Sequence, residues 1–262
     1  MKLFIERIRG FLAYKDLLKL LVQRDIKLKY RRSFLGYVWS ILNPLLIMIV
    51  MAVVFSTIFK RNIENYPVYL FTGQLVFNFM NQSTHQAIGS IAGNGALLKK
   101  AYVPKYIFTL AKITSGLVDF MFSLGALVIV MIATGAPFSK YNLLIPFVAL
   151  QEYIFCVGLG MFLAQANVFF RDIQYIYNAV TTAWLYFTPV LYPIESLSEN
   201  LQWIVKRINP MYFYVGQFRD IVYYGRMPGG LIMLAGCVTA VLMFIIGVTS
   251  FLKNQDKFIY YI

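Results

Sequence analysis

The chain has 262 residues, 60% of them hydrophobic and 13% charged, and a formal net charge of +13. A soluble domain carries about a quarter charged residues, so this composition cannot cover a water-facing globule, and much of the surface must meet lipid. Ten of the 24 Lys and Arg precede Tyr37, beside the first long apolar run, which marks a cytosolic membrane flank and argues against a nucleic-acid surface.

Residues 1–36 hold too many charges for a cleavable signal peptide and read as a cytosolic segment. Within it, residues 11–33 form an amphipathic helix lying on the membrane. Lys15, Lys19, Gln23 and Lys27 recur at i, i+4 on one side, and Leu17, Leu20, Leu21 and Leu28 gather on another. Arg24 interrupts the apolar stripe, where a long side chain can snorkel to water. Residues 37–262 then read as a six-span domain.

The first span is expected at 37–59, with Asn43-Pro44 in its early turns, where a missing N–H costs less. The second is expected at 68–92, and its amide-rich end, Asn81 to Gln86, requires protein or water beside it. The segment Gly93 to Pro104, "GNGALLKKAYVP", supplies a turn and two helical turns, a cytosolic helix at about 94–103. Further spans are expected at 107–134, 143–169, 173–192 and 230–252. Between the last two, residues 193–229 hold seven charges and seven rings, so they cannot cross lipid whole. They read as two short external, re-entrant helices at about 196–225, opened by Ser196 and Glu199 at capping-box spacing and divided at Asn209-Pro210. The fold class is therefore all-α and integral to the membrane. Sixteen Lys and Arg fall on the cytosolic side of this topology and seven on the outer side, which places both termini in the cytosol.

Cys156 and Cys237 lie in apolar runs and His85 is the only histidine. These residues make no disulfide framework, His-based zinc site or His triad.

The stretch "RDIKLKYRRSFLGYVWSILNP", Arg24 to Pro44, resembles the opening signature of permease subunits of polysaccharide and polyol-phosphate ABC exporters. The matching residues are Arg24, Asp25, Lys27, Tyr30, Ser33, Leu35, Gly36, Trp39, Leu42 and Pro44. "NVFFRDIQY" from Asn167, "TPVLYP" from Thr188 and "INPM" from Ile208 extend the likeness over nearly the whole chain. The resemblance implies a homodimer in the bacterial cytoplasmic membrane, served by two copies of a separate ABC ATPase that bind ATP and Mg. Its cargo would be a polysaccharide, O-antigen-like, capsular or teichoic-acid-like, carried on a polyprenyl diphosphate.

The chain has no G-x-x-x-x-G-K-[ST] loop, so if ATP drives it, another chain binds the nucleotide and no cofactor belongs to this one. The best ATPase contact is the turn with Asn94, Leu97, Leu98, Lys99 and Lys100, with Arg171-Asp172 as a second candidate. The resemblance implies that the first and fifth spans line the path. Candidate stacking rings are then Tyr37, Phe55 and Phe59 on one, and Trp184, Tyr186, Phe187 and Tyr192 on the other. Lys27, Lys29, Arg31 and Arg32 are candidates for the lipid diphosphate, alongside plain attraction to anionic membrane lipids. Asp119 and Glu152 fall inside spans and read as a pair joining helices with help from Lys112, with a proton-coupled site as the alternative. The rival reading, a membrane enzyme acting on lipid-linked sugars, needs clustered acids, which this sequence does not supply. A scaffold without turnover is the third.

Overall fold

The computed structural model describes residues 14–31, 33–59, 63–100 and 103–261. Among these residues every regular element is helical. The surface helix is α1 (Lys15–Tyr30), followed by a short 3-10 turn and α2 (Trp39–Phe59). Next come α3 (Tyr66–Ile88), the six-residue α4 (Gly95–Lys100), α5 (Tyr106–Thr134) and α6 (Ile145–Phe169). The chain closes with α7 (Ile173–Phe187), α8 (Glu199–Ile208), α9 (Pro210–Val222) and α10 (Gly230–Asn254).

Among the described residues, four stretches are long and apolar enough to cross a membrane: Gly36–Phe55, Tyr106–Thr134, Lys140–Phe169 and Gly230–Phe258. Helix α3 is long enough but too polar for that set, and its surroundings explain why it can be. It packs against α2, α5, α6, α7 and α9, so Thr72, Gln74, Ser83 and Thr84 are buried in protein. Thr84 shares a 2.8 Å hydrogen bond with Tyr177 on α7. The helix gives way after Ile88, four residues before the expected end of its span, to a bend and a 3-10 turn.

The most extensive contact is between α6 and α10. Gly158 and Gly247 meet at that crossing, where a Cβ on either would collide with the other helix's backbone. Close approach through small residues is the usual way helices pack where lipid gives no hydrophobic drive. At the end of α5, Gly135 takes φ +68°, and the N–H of Ala136 donates to the Met131 carbonyl at 2.9 Å, a left-handed cap that glycine accepts without strain.

Side-chain contacts sort into two ends. At one, Asn167 donates to the Ile88 carbonyl at 3.2 Å, Lys105 donates to the Gln255 carbonyl, and Phe169 packs on Phe258 and Tyr261. Tyr14, beside α1, lies near Tyr106 at the start of α5, on this same end. At the other, Asn65 donates to Thr134 at 3.1 Å, Ser139 to the Gly225 carbonyl at 3.3 Å, and Tyr223 to the Glu64 carbonyl.

Helix α7 ends at Phe187, before the expected 192. Fifteen residues make about 22 Å of helix, short of the ~30 Å hydrocarbon core. Thr188 and Pro193 are extended, and the backbone between them forms no regular helix. Its carbonyls are met by side chains from elsewhere. Asn209 donates to Phe187 at 3.2 Å, Arg219 to Pro189 and to Val190 (2.7 Å), Tyr66 to Leu191 at 2.9 Å, and Tyr69 to Tyr192 at 3.1 Å. The Asn209 amide oxygen also accepts from Trp184 Nε1 at 2.8 Å and from the Met211 N–H at 3.0 Å, the latter capping α9. Arg219 lies 3.7 Å from the Tyr69 ring centroid, and a side chain at Gly73 would strike its guanidinium. The helix expected to open at Ser196 starts at Glu199 with Ser198 before it; Ser196 falls in a separate 3-10 turn.

An Arg219→Met variant leaves the Pro189 and Val190 carbonyls without their donor and is expected to cost about 1–3 kcal/mol for each, measured as a lowered denaturation midpoint in detergent; an unchanged midpoint would show that the segment needs no such anchor.

Candidate functional site

Helix α1 docks on α5, and its sequence divides into two faces. Leu21 is buried, and Leu17, Leu18 and Val22 pack against the core. Leu20 and Leu28, expected on the apolar stripe, are 62% and 54% exposed. The packing face continues through two acid–base pairs that cross between the helices: Lys112 Nζ to Asp25 at 2.9 Å, and Lys29 Nζ to Asp119 at 2.8 Å. Both carboxylates are largely shielded, so each pair counts for more than an exposed one.

The expected Asp119–Glu152 pair therefore does not form. Asp119 is held by Lys29, and Lys112 belongs to Asp25. Glu152 on α6 is fully buried, and neither carboxyl oxygen has a hydrogen-bond partner among the described residues. The α1–α5 ion pairs take the charged groups toward the surface helix, leaving Glu152 apart.

These contacts also split the expected diphosphate set. Lys27 and Arg31 line an open groove of about 620 Å³ with Gln23, Arg24, Gly36 and Tyr37. Lys29 faces the other side of α1, and Arg32 lies outside the described residues. Asp25 bridges Arg24 (3.2 Å) and Lys112, so the groove keeps a basic excess at Lys27 and Arg31. On Lys29's side lies a second cavity of about 270 Å³ with Trp39, Ser40, Asn43, Gln82, Asp119 and Ser123 in its wall. A narrower recess of about 50 Å³ extends it to Asn78 and Phe79.

The seven candidate rings part in the same way. Tyr37, Tyr186 and Phe187 are exposed at 51%, 63% and 41%. Trp184 is half-buried, bonded to Asn209 and edge-on to Phe155. Tyr192 is half-buried and donates to the Tyr186 carbonyl. Phe55 packs on the core, and the side chain of Phe59 lies outside the described residues. Sequence reasoning missed Tyr175, 70% exposed. With Asn178, Thr182 and Tyr186 it forms one exposed stripe of α7, at steps of three and four residues. Only Tyr177 and Thr181 of this helix are buried, so the helical period in residues 173–187 carried the signal.

At the end holding α1, the coupling candidates sit on α4 and the turn before α7. Asn94 donates to the Ser90 carbonyl at 2.8 Å and fixes the bend. Leu97 and Lys99 are exposed, whereas Leu98 is half-buried against the core. Helix α4 covers six residues, less than the expected 94–103; 101–102 and the Lys100 side chain lie outside the described residues. Arg171 and Asp172 are exposed.

Residues 16–223 match the family model described as ABC-2 type transporter. The chain is 31% identical to the O-antigen export system permease protein RfbA of Myxococcus xanthus over 255 residues, covering 97% of this chain and 98% of that protein. It is 27% identical to the protein of the same description from Klebsiella pneumoniae, with 93% of each covered. The polysialic acid transport protein KpsM of Escherichia coli is 22% identical over 85% of this chain and 87% of that one.

Exchanging the charges at one ion pair tests the docking of α1. Lys29→Asp and Asp119→Lys alone should each destabilise the protein, and the double variant should recover a coupling energy of about 1 kcal/mol, read from denaturation midpoints; additive losses would mean the pair contributes nothing.

Proposed function

This chain belongs to the ABC-2 type transporter family, and from that premise we propose that it is the permease subunit of a bacterial inner-membrane polysaccharide exporter whose cargo is lipid-linked. The likeness to an O-antigen export permease over 97% of one chain and 98% of the other carries this reading, because it spans the whole subunit rather than one motif. The absence of a phosphate-binding loop from the sequence assigns ATP binding to a separate partner subunit.

Six traverses of the membrane suit the chain: α2, α3, α5, α6, α7 with its extended continuation, and α10. The placement of Tyr14 near Tyr106 and of Tyr261 on Phe169, at one end, supports an even number, and the excess of basic residues there supports a cytosolic location for both termini. A homodimer is favoured by what one copy leaves open. Helix α2 presents an aliphatic face that includes Leu46 and Val50, and α7 is exposed along most of its length. Two copies meeting along these helices would enclose a passage and shield Asn178 and Thr182 from lipid.

In that passage the residues have distinct work. The basic groove at Lys27 and Arg31 attracts the diphosphate of the carrier lipid, with Tyr37 beside it. The stripe of Tyr175, Asn178, Thr182 and Tyr186 offers flat rings and small polar groups to passing sugars. Such contacts are individually weak, which lets a polymer move through without being trapped. Helix α4 and the Arg171-Asp172 turn transmit ATPase motion, with exposed Leu97 as the apolar contact in place of Leu98.

In a reconstituted complex with its ATPase, Leu97→Asp should cut lipid-glycan-stimulated ATP hydrolysis and export at least tenfold while leaving permease folding intact; full stimulation in that variant would remove α4 from coupling. Lys15 and Lys257 should react with an impermeant amine reagent from the same, cytosolic side, and labelling from opposite sides would overturn the six-span topology.

A further inference from the structure

We propose that the cavity between α1, α2, α3 and α5 binds a neutral sugar unit of the cargo, next to the groove that takes its diphosphate; this rests on the headgroup reading above. Asn43 on α2 and Gln82 on α3 are exposed into the cavity, and Asn78 lines its inner recess. None of these three amides has a hydrogen-bond partner among the described residues. An amide on a membrane helix needs water or a polar ligand, and three converging on one space point to a ligand rich in both donors and acceptors. Asp119 stands in the same wall, its Oδ2 accepting from Lys29 and its shielded Oδ1 without a partner among the described residues. Trp39, 37% exposed, supplies a flat apolar face in the wall.

The charge balance selects a neutral ligand. Lys29 and Asp119 compensate one another at 2.8 Å, so the cavity offers no net charge to a phosphate. It holds one carboxylate, and no cluster of three potential metal-ligating side chains occurs among the described residues. Amides, hydroxyls and an indole face together fit a sugar ring, whose rim hydrogen-bonds and whose C–H faces stack. A volume of about 270 Å³, narrowing to a 50 Å³ recess, limits occupancy to a unit of that order and excludes a long polymer segment. Position gives the last argument. The basic groove and this cavity flank the same connector: Arg31, Gly36 and Tyr37 border one, and Ser33, Trp39 and Ser40 the other. A diphosphate in the groove would bring its attached sugar to this connector.

The test compares two ligands on the permease–ATPase complex in nanodiscs: a polyprenyl diphosphate bearing one hexose, and the same lipid without sugar. Wild type should bind the glycosylated lipid about tenfold more tightly, and Asn43→Ala or Gln82→Leu should each reduce that ratio about fivefold, the loss of roughly one hydrogen bond. Should Gln82→Leu fail to fold, Ser123→Ala and Gln82→Glu probe the same wall and should likewise change the ratio. Equal binding of both lipids by wild type, or a ratio that no variant changes, overturns the sugar site and leaves the headgroup reading standing. Binding of neither lipid overturns both.

Discussion

A backbone carbonyl left bare in lipid is costly, and residues 187–192 present a row of them with no regular helix to absorb them. What makes the break at the end of α7 possible is a set of donors from three separate places: Tyr66 and Tyr69 on α3, Asn209 before α9, and Arg219 within it. The consequences spread through this end of the molecule. Because α7 stops early, α8 and α9 can fold where a longer helix would have continued. Because Arg219 reaches across to Tyr69, α9 is drawn onto α3. Because Asn209 holds Trp184 as well as the start of α9, the short helices and α7 cannot shift independently.

The opposite end is organised by charge. Two acid–base pairs fix α1 on α5 at defined rotation. That rotation turns Lys27 and Arg31 outward to an open groove and Lys29 inward to a compensated, amide-lined space. A basic helix held only by lipid attraction would rotate about its axis and average these two environments. The ion pairs are therefore positioning devices as much as stabilising ones, and they place one short run of basic residues in two different environments.

Much of this was legible in the sequence. The apolar runs read correctly as helices in α2, α5, α6 and α10, since their lipid-facing sides impose hydropathy directly. Helix α3 was harder to bound, because a helix surrounded by others is free to carry Gln74, Thr84 and the amides near its end. Individual roles were less legible. Leu97 and Leu98 look equivalent in a sequence, yet one turn of helix exposes the first and half-buries the second. Trp184 and Tyr192 read from the sequence as stacking rings, and the structure adds that their polar groups bond within the joint after α7. The motifs "TPVLYP" and "INPM" carried the family likeness without explaining it, and their partnership through Asn209 and Thr188, 3.0 Å apart, is a contact across 21 residues that no local pattern announces. The crossing pairs of Asp25 and Asp119 are likewise long-range; only their unusual place beside apolar positions hinted at them.

A transporter of long polymers faces opposing demands on affinity. Recognition requires a well deep enough to tell cargo from ordinary lipid, whereas movement requires every later well to be shallow. Charge-assisted hydrogen bonds to a diphosphate are about twice as strong as neutral ones, and they occur once per cargo molecule. Neutral contacts to a sugar are worth about 1 kcal/mol each, so the chain can exchange one for the next at little cost. The distribution of residues follows this division. On the proposed reading, basic side chains gather at the end where a carrier lipid would be met, while the exposed stripe of α7 from Tyr175 to Tyr186 contains rings, an amide and a hydroxyl but no charge. A cationic residue midway along that stripe would create a second deep well for any acidic polymer, so a stripe without charge fits the proposed passage, in which cargo would be selected at a lipid anchor and variation along the glycan tolerated.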